Sequence, residues 1–467
     1  MIHEVGTRPP SAGPAALPLF SRQDWCWEWT RSYTSDSTPI ESSETLLFRG
    51  PLDTGALRDT LAEIGTRHEA LRLHLVAGAG PDPAAAWPGQ ALRPWPGPLD
   101  VVRTAPQERA AEVTRILSRP LDLTDRMTRT TLVRVAEEEH VLVAQFHHLI
   151  FDSTSHRLFR DLLVQGYRAR VAPGGGTAER RGEPASYTGL IGREQAPEVR
   201  SAVHGRAAAL AGELRAYGAA EPLAGDAGAV VVAAEFGSLP VALTAERTRL
   251  LLRRSRAERV TLHTVLLAAL AHAVATVYER DRLVCSVYTH GRTFASARET
   301  LGLFSTVVPV PVGTEYRSLT EFLKTVQASV QRAAASADLP LSEVASRVLD
   351  RPSGEGAYYR SALAHLELRL SGVTGWLPEE PNPAPALPSG LSVAPQNVYP
   401  EHPSPVFAGP EQALACASTL FADLEVADGA LTGALWYEEH YHDAARAARV
   451  HEIFTHFIER LSDGAVL

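Results

Sequence analysis

A chain of 467 residues with 45 Lys and Arg against 54 Asp and Glu carries a formal charge of −9, which argues against nucleic acid as its main partner. Its 45% hydrophobic and 21% charged residues are those of a globular protein with enough apolar sequence for two cores. The N-terminus lacks a basic region followed by an unbroken apolar core, and no later stretch supplies about 18 uncharged apolar residues, so no export signal or membrane span is read and a cytoplasmic setting is expected. Cys26, Cys285 and Cys416 are far apart and lack metal-ligand spacing, so buried apolar roles in a reducing compartment are expected rather than disulfides.

Residues 1–18 are rich in Pro, Gly and Ala and read as a loose arm. Trp25, Trp27 and Trp29 then stand at alternate positions, the pattern of a buried aromatic face. A strand over Thr45–Arg49, a helix over Asp53–Arg67 and a strand over Ala70–Val76 follow, with Arg67 and Arg72 complementing the helix dipole and pairing with Glu69. Residues 77–98 are loop. Leu99–Arg103, a helix over Gln107–Ser118 and a hairpin over Thr130–Phe146 turning at Glu137–Glu139 deliver the chain to His147. A helix over Thr154–Ala169 leads into Pro173-Gly174-Gly175-Gly176, a flexible boundary.

The second half repeats the alternation. Val230–Phe236 reads as a strand, Ala245–Ser255 and Thr261–Tyr278 as helices, and Arg282–Tyr288 as a strand ending at Thr289-His290-Gly291-Arg292. Leu301–Val310 and a helix over Ser342–Leu349 follow, then a strand-like Ser361–Leu370, a Pro-rich crossing segment near 376–405, a hairpin around Asp428-Gly429 and a final helix over Asp443–Leu461.

The whole chain is organised around His147-His148-Leu149-Ile150-Phe151-Asp152-Ser153. The apolar run of Val141, Leu142, Val143 and Phe146 reaches the two histidines where a strand ends, and Ser and Thr residues then cap a helix. Neighbouring strand residues point to opposite faces, which predicts one chemical and one structural imidazole. The same divergence, with no His-x-x-x-His or Cys-x-x-Cys nearby, argues against a metal site.

This heptad resembles the His-His-x-x-x-Asp-Gly motif of the chloramphenicol acetyltransferase superfamily, whose large branch is the condensation domains of nonribosomal peptide synthetases. Other stretches resemble further motifs of that family: Gln23 before an aromatic-rich helix, Arg67-His68-Glu69-Ala70-Leu71-Arg72, Tyr187, Leu301–Val310 with Ser305 in place of Asn or Val, and Asp338–Leu341. The resemblance spans roughly residues 18–462. It implies an α+β (α/β) fold of two acetyltransferase-like lobes in a V-shaped pseudo-dimer around a central tunnel, with an N-terminal lobe over 19–176 and a C-terminal lobe over 177–467.

The activity implied is acyl or aminoacyl transfer from a carrier protein's phosphopantetheine thioester to an amine or alcohol, or to an acceptor on a second carrier, with no bound cofactor of the chain's own. A free-standing condensation enzyme is expected, since no carrier segment, adenylation signature or P-loop is visible. An acyl-CoA-dependent acyltransferase and an idle carrier-docking homologue are the alternatives. Under the resemblance His148 is the catalytic residue, as base or as positioner of the nucleophile. Imidazole suits either task with a pKa near ~6.5. His147 and Asp152 are architectural, with Asp152 paired to Arg292, or failing that to Arg72 or Arg67. Ser153 replaces the family's Gly and is the acceptor-side candidate.

Overall fold

The computed structural model describes residues 16–27, 41–76, 88–95, 99–172, 182–219, 221, 223, 235–292, 294–350, 364–371, 391–395 and 418–463. In chain order the first half forms β1 (Glu41–Arg49), α1 (Thr54–Arg67), β2 (Leu73–Val76), β3 (Gly89–Leu92), β4 (Leu99–Arg103), α2 (Arg109–Leu117), β5 (Thr128–Ala136), β6 (Glu139–His147), α3 (Ser153–Val171), α4 (Tyr187–Glu194) and α5 (Pro197–Ala216). The second forms β7 (Phe236–Leu243), α6 (Ala245–Glu258), α7 (Leu262–Tyr278), β8 (Arg282–Thr289), the single turn Ala295–Arg298, β9 (Thr306–Gly313), α8 (Leu319–Ala334), α9 (Leu341–Leu349), β10 (Leu366–Ser371), β11 (Ser392–Pro395), β12 (Leu420–Ala427), β13 (Ala430–Glu438) and α10 (Ala444–Ser462). Short polar side chains start many of these helices. Asp53, Asp152, Thr244, Thr261, Ser318 and Asp443 each accept a hydrogen bond from a first-turn amide.

Two mixed sheets organise the molecule. The first runs β11-β1-β6-β5-β4 and the second β7-β13-β12-β10-β8-β9, with β2 and β3 forming a separate pair. Central strand β6 reads as an unbroken apolar run because both its faces are covered: Leu142, Ala144 and Phe146 join the larger cluster, whereas Val141 and Val143 meet Val113 and Ile116 of α2. In the second sheet, Leu366, Leu368, Ala422 and Leu424 pack against α7, which is apolar all round and buried along most of its length. Edge strand β9 carries Pro309 and Pro311, residues a sheet tolerates at its margin.

The two halves interlock. Strand β11, within the stretch expected to cross near 376–405, pairs antiparallel with β1, Leu46 opposite Pro395. The boundary expected near residue 176 falls in 173–181, outside the described residues. Beyond it, Tyr187, Ile191, Ala211 and Leu214 of α4 and α5, with Val344 and Val348 of α9, pack into the cluster of the first sheet. The arm over 1–18 is described only from residue 16, where Leu17 bridges to Gln90.

Two local expectations are corrected. The strand expected over Ala70–Val76 begins at Leu73, because Glu69–Arg72 coils into a 3₁₀ turn in which the Leu71 amide donates back to the His68 carbonyl (3.1 Å). The strand expected over Val230–Phe236 starts at Phe236 and runs to Leu243, in register with β13, while residues 224–234 lie outside those described. Cys26 and Cys285 are buried free thiols, and Cys416 lies outside the described residues. Among the described residues no single helix is long and apolar enough to cross a membrane.

Candidate active site

Strand β6 ends at His147, which is buried and accepts a hydrogen bond from the Leu149 amide at Nδ1 (3.2 Å). It thereby caps the 3₁₀ turn His148–Ile150. Burial, with the neighbouring His148, lowers its pKa to about 3, so it is a neutral packing residue.

His148 is half-buried, and its Nδ1 lies 2.7 Å from the Phe151 carbonyl. Only a protonated Nδ1 can donate to that oxygen, so the bond selects the tautomer whose basic lone pair is on Nε2. Burial lowers the His148 pKa, against the Phe151 carbonyl and Asp152, which raise it, while His156 and Arg369 lower it further. The ring of Trp25 meets the imidazole edge-on, with centroids 5.7 Å apart.

The loop that carries His148 is held from several directions. Gln23 donates to the Leu149 carbonyl (2.8 Å) and accepts from Gln90 (2.7 Å), tying the aromatic-rich segment to the turn. Phe151 stacks on Phe146 with centroids 3.7 Å apart. Glu44 on β1 receives Arg160 (2.7 Å) and His156 (3.3 Å), and His156 stands edge-on to Phe151.

Asp152 reaches across to the second half. Its Oδ1 accepts from the Ser155 amide and from Arg292 Nη2, both at 2.8 Å, and its Oδ2 from the amides of Phe304 (3.0 Å) and Ser305 (3.2 Å). Burial alone would raise the Asp152 pKa, but the Arg292 charge and these hydrogen bonds hold it below the usual value. Arg292 is itself buried, lies 4.4 Å over the Phe304 ring, and donates to the carbonyls of Ala297 and Thr300. Arg67 and Arg72 bond elsewhere, to the carbonyls of Gly182 and Arg93.

The stretch 301–305 is the common target of separate motifs. His68 Nδ1 accepts from the Leu301 amide (3.2 Å), the Tyr187 hydroxyl donates to the Leu303 carbonyl (3.0 Å), and Ser155 bridges both backbone groups of Gly302. Glu69 does not pair with its neighbouring arginines as expected. Its carboxylate accepts from Ser186, from the Thr188 amide and from the Thr188 hydroxyl, because the start of α4 brings unsatisfied donors to it. Ser153 is exposed in the first turn of α3, where its backbone is helical. Local reading did not find Gln90, Glu44, His156 or Arg369 as neighbours of the site. The His156 spacing, four residues after Asp152 on a helix, was the available signal for one of them.

Against known proteins, a family model described as Condensation domain matches residues 17–353. The nonribosomal peptide synthetase penN of Penicillium thymicola is 24% identical over 314 residues, 64% of this chain and 11% of that protein. The chain thus spans about a tenth of the length of that relative. Among solved structures, the X-domain in complex with OxyB from teicoplanin biosynthesis superposes with a TM-score of 0.71 at 21% identity, covering 99% of this chain and 98% of that one. SgcC5 from Streptomyces globisporus, solved with a naphthyl-ethanediol and sucrose, does so at 0.66 and 17%, covering 96% and 100%.

Proposed function

Because the chain belongs to the condensation domain family, we propose that it transfers an acyl or aminoacyl group from a carrier protein's phosphopantetheine thioester to an amine or alcohol, forming an amide or ester in natural-product biosynthesis. The observation that carries this reading is the hydrogen bond from His148 Nδ1 to the Phe151 carbonyl, which presents a basic Nε2 from a half-buried ring.

The nucleophile's N–H or O–H donates to Nε2 as its lone pair attacks the thioester carbonyl. The C–S bond then breaks, and the proton held by the imidazole passes to the leaving thiolate, so the acyl group moves with no net proton change. A lowered pKa keeps His148 unprotonated near pH 7, ready to accept, while weakening it as a base. An amine that enters neutral therefore needs chiefly orientation from His148, and an alcohol needs proton removal. Asp152 and Arg292 hold the loop and touch no reacting atom in this scheme.

A second reading, a docking homologue without turnover, draws on the likeness to an X-domain solved in complex with another protein. Intact-mass spectrometry separates the readings. Acyl-loaded carrier protein is supplied in trans with a panel of amines and alcohols, for wild type and His148→Ala. Acyl loss with a matching condensed product in wild type alone supports the condensation reading and names the acceptor class. Turnover of acyl-CoA without any carrier would replace the donor. Carrier binding with no acyl loss from carrier or CoA would favour the docking homologue.

A further inference from the structure

The face of the second sheet opposite its helices carries chemistry that the scheme above does not use. Val284 and Val307 on this face join the cluster of the first sheet, so it looks toward the His148 side of the molecule. Further along lie Glu367 and Arg369 of β10, Phe421 and Asp423 of β12, and Trp436 of β13. Strand register sets Arg369 beside Asp423, and Glu367 beside Phe421, which in turn faces Trp436.

Arg369 is buried and already committed. It is ion-paired to Glu367 and lies over the rings of Tyr288 (4.9 Å) and Phe421 (5.7 Å). Phe421 stacks nearly parallel on Trp436 (6.2 Å), and Phe236 closes the row at 6.4 Å from Phe421. Asp423 differs from its neighbours. It is only half-buried, and among the described residues no side chain or amide donates a hydrogen bond to its carboxylate. Among the described residues, with Arg369 offset by Glu367, the half-buried Asp423 and Glu425 leave this face net negative beside stacked aromatic rings.

We propose that Asp423, on the same face as the half-buried ring of Trp436, is a specificity subsite for a positively charged amino group on one of the two substrates. A carboxylate beside aromatic faces is the combination that binds an ammonium group, by ion pairing at one side and cation–π contact at the other. Burial, with Glu367 and Glu425 alongside, pushes the Asp423 carboxyl up to about 6 against the pull of Arg369, so a bound cation would relieve an uncompensated charge. The Arg369 charge bears on both Asp423 and His148, in keeping with a face whose Val284 and Val307 pack into the cluster of the first sheet. The inference deepens the condensation reading and rests on it for the identity of the ligand as substrate.

Two sources can supply the ammonium group: a basic side chain on the acyl donor, or the acceptor amine, which would bind protonated and give up that proton before its lone pair attacks. Calorimetry on the full chain tests both without turnover. One arm compares N-acetylcysteamine thioesters of Nα-acetyl-lysine and Nα-acetyl-norleucine, and the other compares 2-phenylethylamine with 2-phenylethanol. Wild type is expected to prefer the cationic member of one pair by at least about tenfold, with Asp423→Asn reducing that preference to less than about threefold. No preference in either arm overturns the subsite, as does an undiminished preference in Asp423→Asn whose melting temperature matches wild type. A preserved cation preference alongside no condensed product in the mass assay would sink the condensation reading and leave the subsite standing.

Discussion

Asp152 shows how a single side chain joins the two halves. Each carboxylate oxygen accepts two hydrogen bonds, and the partner charge, Arg292, is equally enclosed. Such a pair is not a large net source of stability, but removing one member strands the other. Asp152→Ala is therefore expected to lower unfolding free energy by about 3–5 kcal/mol, read from urea titration. A midpoint equal to wild type would remove the structural role assigned to the pair. His148 differs: it is half-buried rather than fully enclosed, and its Nδ1 bonds the Phe151 carbonyl. His148→Ala is expected to cut turnover by about 10²–10⁴-fold while the melting temperature moves little. Comparable losses of stability and activity in that variant would make His148 a packing residue like its neighbour.

At the scale of elements, the segment 301–305 depends on a tight approach by the turn after β8. Gly291 has φ of +61°, and a Cβ there would fall 2.0 Å from the Phe304 carbonyl oxygen. Gly291→Ala is expected to destabilise the fold by about 1–3 kcal/mol from its backbone conformation alone, and by more where the carbonyl cannot move aside. Thermal melting checks this, and a neutral result would mean the turn is free to rearrange. Elements of this kind were legible in the sequence when their cause is local. The β12–β13 hairpin followed from Asp428-Gly429, whose φ values are both positive, and α3 from its polar cap before an apolar helical pattern. The Asp152 to Arg292 pairing, also anticipated, came from family resemblance rather than from periodicity. Glu69 could not be placed in this way. Its donors stand 117 and 119 residues away, and a charged helix end offers nearby arginines that satisfy local reasoning equally well. Asp423 and Arg369 were invisible for a related reason: an alternating strand shows that two faces differ but not what the polar face meets.

Across the whole molecule, stability is coupled to pH through histidines that the fold keeps neutral. Burial holds both His68 and His147 at about 3, and His263 and His442 at about 4. Their ordinary value is 6.5, so below that pH the unfolded chain binds protons that the native chain refuses, and stability must fall as pH falls. The loss continues until pH approaches the folded values, at about 1.4 kcal/mol per pH unit for each histidine. Asp423 acts in the opposite sense, since its folded value of about 6 exceeds the ordinary 3.8 and the native state takes up its proton first on acidification. Asp152 contributes nothing to this window, because its depressed pKa matters only below the ordinary carboxylate range. With these four histidines set against the raised carboxyls of Asp423 and Glu194, unfolding free energy is expected to drop by about 3–5 kcal/mol between pH 7.5 and 5.5. Urea titrations at the two pH values measure the drop. His147→Asn, whose side-chain oxygen can still accept from the Leu149 amide, should flatten the dependence by about one histidine's share, whatever its effect on stability at pH 7.5. A wild-type stability that does not change over this interval would mean that the histidines gain protons without unfolding, and that the polar seam around His147 and His68 is wetter than its packing implies.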